Sequence, residues 1–203
     1  MDVGVLGGTF DPIHNGHLAV AGEARLKLGL KLVLFVPAGD PWLKEQAEVT
    51  AAVHRLEMVK LALADRPEFG VATVDLERPG PSYTENTLAD LRRQLGEDAR
   101  MYFILGIDAL AEFDLWRNPV RILQMCTLVA VRRPGALAVD TASLERRLPG
   151  IAARLVVLDN ELVDISSTDI RQRVATGLSI TDLVPAPVER YITQHGLYRL
   201  TGA

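Results

Sequence analysis

Cysteine is almost missing from this sequence: one residue, Cys126, in 203. No internal disulfide can form, which fits a reducing cytosol. Cys126 opens the apolar stretch to Val131, where a lone thiol reads as a small core residue. No apolar run approaches the roughly 18 residues of a membrane span. The segment Met1 to Leu6 has neither a basic start nor a long apolar stretch, so no signal peptide is expected and a cytoplasmic location is. Basic residues do not prevail either: 22 Lys and Arg stand against 26 Asp and Glu, a formal charge of −4. That argues against general nucleic-acid binding, which needs a basic face. A polyanionic ligand would have to be drawn by a few focused groups. Low-complexity tracts, internal repeats and long charge blocks are also missing.

What the chain does have is alternation. Short β-branched or apolar runs occur at Val3 to Leu6, Leu32 to Val36, Val71 to Leu76, Met101 to Leu105, Leu128 to Val131 and Leu155 to Leu158. Between them lie helical patterns near Gly16 to Leu28, Ala51 to Ala64, Thr84 to Leu95, Ile107 to Leu123 (broken at Pro119) and Ala142 to Leu148. Two more helices start near Ser167 and Pro187. This pattern predicts an α/β fold, one doubly wound and mostly parallel sheet of about six strands. The length suits a single domain over residues 1–203, with the helices from about 166 packed on the sheet; a chain of this size buries about 70% of its unfolded surface. In the order 3-2-1-4-5-6 strands one and four lie side by side, and ligands bind at their carboxyl ends. Strand one runs into Gly7-Gly8-Thr9-Phe10 and strand four into Gly106-Ile107-Asp108, so both loops should face one crevice.

The first of these loops, GGTFDPIHNGHL from Gly7 to Leu18, follows a strand and opens a helix, where backbone N–H groups can cradle phosphates. It is neither the dinucleotide glycine fingerprint nor a Walker loop. With a helix starting near Asn15 or Gly16, His14 and His17 both project from its first turn and could donate to phosphate oxygens. A plainer alternative is that Asn15 caps the helix and both histidines are solvated. Zinc is a second alternative, but no cysteine cluster or acidic third ligand is suitably spaced, and His54 and His195 stand apart. The later segment DISSTDIRQR, Asp164 to Arg173, reads either as a routine helix start or as a phosphate seat. In the second reading Ser167 and Thr168 supply hydroxyls and N–H groups, and Arg171 in the first turn supplies charge.

The H-N-G-H of the first loop resembles the HxGH signature of the adenylyltransferase and cytidylyltransferase superfamily, and ISSTDIR resembles that superfamily's ISSTxIR motif. GPSYTENTL (Gly80 to Leu88), GIDALAEFDLWRNP (Gly106 to Pro119), Arg133-Pro134-Gly135 and Gly196-Leu197-Tyr198-Arg199 are similar to segments of bacterial nicotinate mononucleotide adenylyltransferases. The resemblance spans almost the whole chain. It implies a Rossmann-like nucleotidyltransferase fold and transfer of the adenylyl group of ATP to nicotinate mononucleotide, in NAD biosynthesis. It also implies that Gly8, Thr9, Phe10, His14 and His17 line the ATP phosphates, and that Gly106 and Asp108 meet the adenosine. Ser167, Thr168 and Arg171 then hold the β- and γ-phosphates, while Tyr83, Thr84, Trp116 and Arg117 form the pyridine site. Trp116 offers a face for stacking a cationic ring, and is equally readable as a core cover. Arg117 reads either as a carboxylate donor in a donor-only pocket or as a solvated helix-end cation. Many relatives carry Pro-Pro-His-Lys after strand two, whereas Pro41-Trp42-Leu43-Lys44 stands here, so the lysine matches and the histidine does not.

The implied catalytic set is His14, His17, Lys44 and Arg171. A phosphate monoester is largely dianionic at neutral pH, so neither a general base nor a covalent intermediate is needed, and alignment with charge neutralisation carries the reaction. Mg²⁺ should arrive with ATP, held by phosphates and water, with no metal ligands of the protein's own. The expected partners are ATP and nicotinate mononucleotide, without nucleic acid or membrane, in a monomer or homo-oligomer. Two alternatives stay open: a related adenylyltransferase acting on nicotinamide mononucleotide or phosphopantetheine, and a non-catalytic nucleotide-binding regulator.

Overall fold

The computed structural model describes residues 1–41, 49–132, 140–158 and 165–199. Among them six strands form one sheet in the order β3-β2-β1-β4-β5-β6, every pairing parallel. The strands are β1 (Asp2–Gly8), β2 (Leu32–Pro37), β3 (Phe69–Val71), β4 (Arg100–Gly106), β5 (Cys126–Val131) and β6 (Leu155–Leu158). The helices are α1 (Asn15–Leu28), α2 (Ala52–Leu63), α3 (Val74–Glu77), α4 (Thr84–Leu95), α5 (Ile107–Ala111), α6 (Pro119–Met125), α7 (Thr141–Arg147), α8 (Ser167–Ala175) and α9 (Ala186–Gln194).

Parallel strands covered on both faces must be apolar on both, and β1 shows it. Val3 and Val5 sit in one core cluster with Leu88, Leu91 and Ile122. Leu6 sits in the opposite one, with Ala21, Met58 and Val188. Cys126 is buried in the first cluster, and burial pushes its thiol pKa up to about 12, which leaves it an inert core group.

Two elements depart from the periodicity. The third strand was expected over Val71 to Leu76; it occupies Phe69–Val71, and Val74–Glu77 is a short helix. The run alternates like a strand, but at Thr73 the backbone turns, and its carbonyl accepts from the N–H groups of Leu76 and Glu77. The turn carries Asp75 inward to a buried position beside Arg78 and Thr87. Here tertiary partners for a carboxylate outweigh strand propensity. The segment Ile107 to Leu123 is also more broken than expected. A 3₁₀ turn at Phe113–Leu115 precedes an extended Trp116 and a left-handed Asn118, and α6 then starts at Pro119.

Candidate active site

Two adjoining cavities, of about 250 and 220 Å³, lie where β1 and β4 end. They meet at Gly7, Phe103 and Trp116, which line both. This is the crevice expected at the switch point of the sheet.

The first cavity is bounded by Leu6, His14, His17, Gly106, Arg132 and Ile165, among others. Its histidines cap α1 reciprocally. The His17 N–H donates to His14 Nδ1 (3.3 Å), and the His14 N–H donates to His17 Nδ1 (3.2 Å). The rings stack with centroids 3.6 Å apart. An Nδ1 that accepts carries no proton, so each neutral ring is protonated at Nε2 and donates from there. Asn15 is not the cap: it is the first helical residue, with its N–H on the Leu183 carbonyl and its amide on the Asp182 carbonyl. The cap function falls to the residue before it because the chain is fully extended at His14. Two donors and a helix N-terminus therefore share one wall, a setting for anionic oxygens.

Phe10 lies behind this wall, not in it. Its ring is 2% exposed and meets His17 edge-on at 5.0 Å. Its backbone is left-handed, φ +50°, at a cost of about 1–2 kcal/mol that the buried ring offsets. The resemblance placed Phe10 at the phosphates; the structure makes it the floor under His17. Asp108 is exposed in the first turn of α5, between Gly106 and Ala109, which line the cavity.

The loop Thr9 to Pro12 is held from three sides. Arg171, a full turn into α8, donates to the Asp11 carbonyl (2.7 Å) and to Thr168 Oγ1 (3.3 Å). Ser167 donates to the Pro12 carbonyl (3.0 Å). Tyr198 donates to Asp11 Oδ1 (2.7 Å), and the Thr50 N–H donates to Asp11 Oδ2 (3.1 Å). Burial, followed by the Asp11 charge, raises the Tyr198 pKa far above its ordinary value, so Tyr198 stays a neutral donor. Ser167 and Arg171 thus bind the first loop directly, and Thr168, exposed beside them, receives the other arm of the guanidinium.

The third hold is Arg55, which sequence reasoning missed. Its side chain is 1% exposed. It donates to the carbonyls of Thr9 (2.8 Å), Thr50 (2.8 Å) and Gly39 (3.4 Å). Desolvation lowers its pKa and Asp11 acts to raise it; an arginine so placed keeps its charge. A signal was there to find. Arg55, Met58, Val59, Ala62 and Leu63 are the buried stripe of α2, so Arg55 occupies an apolar register position. Arg132, lining the first cavity, is the other omission; a basic residue just past β5 is its only sequence mark.

The second cavity is lined by Gly8, Thr9, Asp75, Ser82, Thr84, Thr87 and Trp116, among others. Trp116 leans on Phe113 and Phe103, so its core and pocket readings both apply. The pocket is not made of donors alone. Asp75 is in its wall, with its charge answered by Arg78 (2.7 Å) and Thr87 Oγ1 (2.7 Å). Ser82 Oγ accepts from the N–H groups of Gly39 and Asp40. Gly39 has to be glycine, because a Cβ would lie 2.2 Å from the Asp75 carbonyl oxygen. Tyr83 caps the start of α4, and the Arg117 guanidinium lies 4.6 Å from its ring centroid. Arg117 is about half exposed and 3.8 Å from Glu85, outside both linings. Lys44 and Arg133-Pro134-Gly135 lie outside the described residues.

Among the described residues no three His, Cys, Asp or Glu side chains gather as a metal centre, and no helix is long and apolar enough to cross a membrane. A six-stranded parallel sheet carries a helix-capping histidine pair and two joined cavities at its switch point, a Rossmann-like arrangement. The chain belongs to the cytidylyltransferase-like family, whose profile matches residues 5–173. It is 49% identical over 197 residues to a protein of Roseiflexus sp. (strain RS-1), covering 97% of this chain and 98% of that one. A protein of Dehalococcoides mccartyi (strain CBDB1) is 44% identical over 198 residues, covering 98% and 97%. Both carry the name "probable nicotinate-nucleotide adenylyltransferase". The fold is shared with Plasmodium falciparum nicotinic acid mononucleotide adenylyltransferase complexed with NaAD, at TM-score 0.79, 18% identity and 97% coverage of each chain.

Proposed function

We propose that this chain is a nicotinate-nucleotide adenylyltransferase, joining the adenylyl group of ATP to nicotinate mononucleotide and releasing pyrophosphate. The observation that carries the reading is the pair of cavities meeting at Gly7, Phe103 and Trp116. ATP occupies the histidine-lined one and the mononucleotide the one beside Thr84 and Trp116, so the two phosphates come together at the junction. A mononucleotide phosphate oxygen attacks the α-phosphorus, the α–β anhydride bond breaks, and its electron pair leaves with pyrophosphate. Mg²⁺ arriving with ATP would offset the charge of its phosphates. The chain's own residues align two anions and donate to oxygens that gain charge. The setting is cytoplasmic NAD biosynthesis.

The test is pyrophosphate release from ATP and Mg²⁺ with nicotinate mononucleotide, nicotinamide mononucleotide and phosphopantetheine under identical conditions. The acid should be preferred over the amide by at least about tenfold in kcat/KM, a difference of 1.4 kcal/mol. The preference rests on the Thr84 hydroxyl and the backbone N–H groups beside Trp116 donating to the ring carboxylate, charge-assisted bonds that an amide does not match. Asp75 turns Oδ1 away from the ligand to Arg78 and Thr87. Equal values for acid and amide would move the protein to a dual-specificity class, and nucleotide binding without turnover would make it a regulator.

Arg171→Ala should raise the KM for ATP about tenfold or more and leave that for the mononucleotide within about twofold. Its guanidinium, stationed beside the first loop by the Asp11 carbonyl, pairs in this reading with a β- or γ-phosphate of ATP, a charge-assisted contact that contributes about 1.5–3 kcal/mol. The opposite split would assign α8 to the other substrate.

A further inference from the structure

Glu85, in the first turn of α4, is 3% exposed, and its Oε2 is buried with no hydrogen-bond partner. Its neighbours in charge come from one nearby segment. Arg117 Nε is 3.8 Å and Arg121 Nη1 3.9 Å from Oε1. Both distances exceed hydrogen-bond reach, so the attraction is between charges. Removing a carboxylate from water without a bond to one of its oxygens is costly, and here two cations offset it. The chain neighbours explain the placement: Thr84, just before Glu85, and Trp116, just before Arg117, both line the second cavity. Arg117 also lies over Tyr83, so residues 83 and 85 grip residue 117 while residues 84 and 116 form the pocket between them.

We propose that Glu85 is a positioning residue that latches the Trp116–Arg121 segment to the start of α4 and so sets the spacing between Thr84 and Trp116 for the pyridine mononucleotide. The proposal rests on the second cavity being the mononucleotide site. The latch is electrostatic. Gln at position 85 keeps the shape and loses the hold, and the same loss follows from removing both arginine charges.

Calorimetric Kd values for nicotinate mononucleotide, with KM values for both substrates and thermal midpoints, should be measured on wild type, Glu85→Gln, Arg117→Gln/Arg121→Gln and the triple variant. The first two variants should each weaken mononucleotide binding about three- to tenfold, the scale of coupling within one charge network. The ATP KM should stay within about twofold. The midpoint should stay within about 2 °C for Glu85→Gln, fall by several degrees in the double arginine variant, where the buried carboxylate is left unanswered, and recover in the triple variant. The triple variant should be no worse than either parent, because both routes remove the same latch. Unchanged mononucleotide Kd, equal losses for both substrates, or additive losses in the triple variant would overturn the proposal. The arginines are more than half exposed, so that variant carries the test even if Glu85→Gln does not fold. Wild-type turnover with an unchanged Kd in the variants sinks the latch and leaves the activity standing. Glu85-dependent mononucleotide binding without wild-type turnover does the reverse.

Discussion

The His17→Ala protein should fold and bind ATP, yet turn over at least about 100-fold more slowly, the loss expected when a donor to developing transition-state charge is removed. The capping geometry sharpens this expectation. His17 Nδ1 is committed to the His14 N–H, which fixes the ring and directs donation to Nε2. The ring is further held between His14, stacked at 3.6 Å, and the edge of Phe10. Alanine removes the donor and also a cap partner, and the second loss alone costs about 0.5–2 kcal/mol of stability. His17→Asn separates the two effects, since its amide oxygen can still accept from the His14 N–H. Both variants should show the same fall in kcat, while Asn recovers most of the thermal midpoint. Wild-type kcat in either purified variant would remove His17 from the chemistry.

Arg55→Leu should be the most destabilising substitution outside the cavity walls. It deletes a buried guanidinium and leaves the carbonyls of Thr9 and Thr50, with that of Gly39 beyond them, without their donor. Each hydrogen bond to a charged group contributes about 1.5–3 kcal/mol, so a loss of about 3–5 kcal/mol is expected. For a chain of this size that lowers the midpoint by about 10 °C. Lysine at this position reaches one carbonyl but cannot fork to three, so Arg55→Lys should fall between wild type and leucine. Both KM values should rise, because Thr9 and the segment at Gly39 border the second cavity while the same loop leads into His14. A midpoint for Arg55→Leu within about 2 °C of wild type would show that water replaces the guanidinium.

Periodicity and motif spacing determined a good deal by themselves. The six apolar runs alternating with helices imply one parallel sheet covered on both faces, because buried parallel strands must be apolar; among the doubly wound orders, folding selected β3-β2-β1-β4-β5-β6. The glycine loop and H-N-G-H likewise locate the first cavity, since both are local to one strand–helix turn. Tertiary structure decided what depends on residues distant in the chain. Val74 to Glu77 became a helix because Asp75 finds Arg78 and Thr87 there, and strand propensity cannot anticipate a buried partner. His14 displaced Asn15 as the cap because the Leu183 and Asp182 carbonyls engage Asn15. The Phe10 ring is buried in the core beneath His17, and Arg171 was drawn to the Asp11 carbonyl 160 positions away. Arg55 shows the division most clearly. Its place in an apolar stripe is legible from the sequence, but the carbonyls that justify burying a charge come from the β1–α1 and β2–α2 connections, and only the folded chain brings them within 3.4 Å.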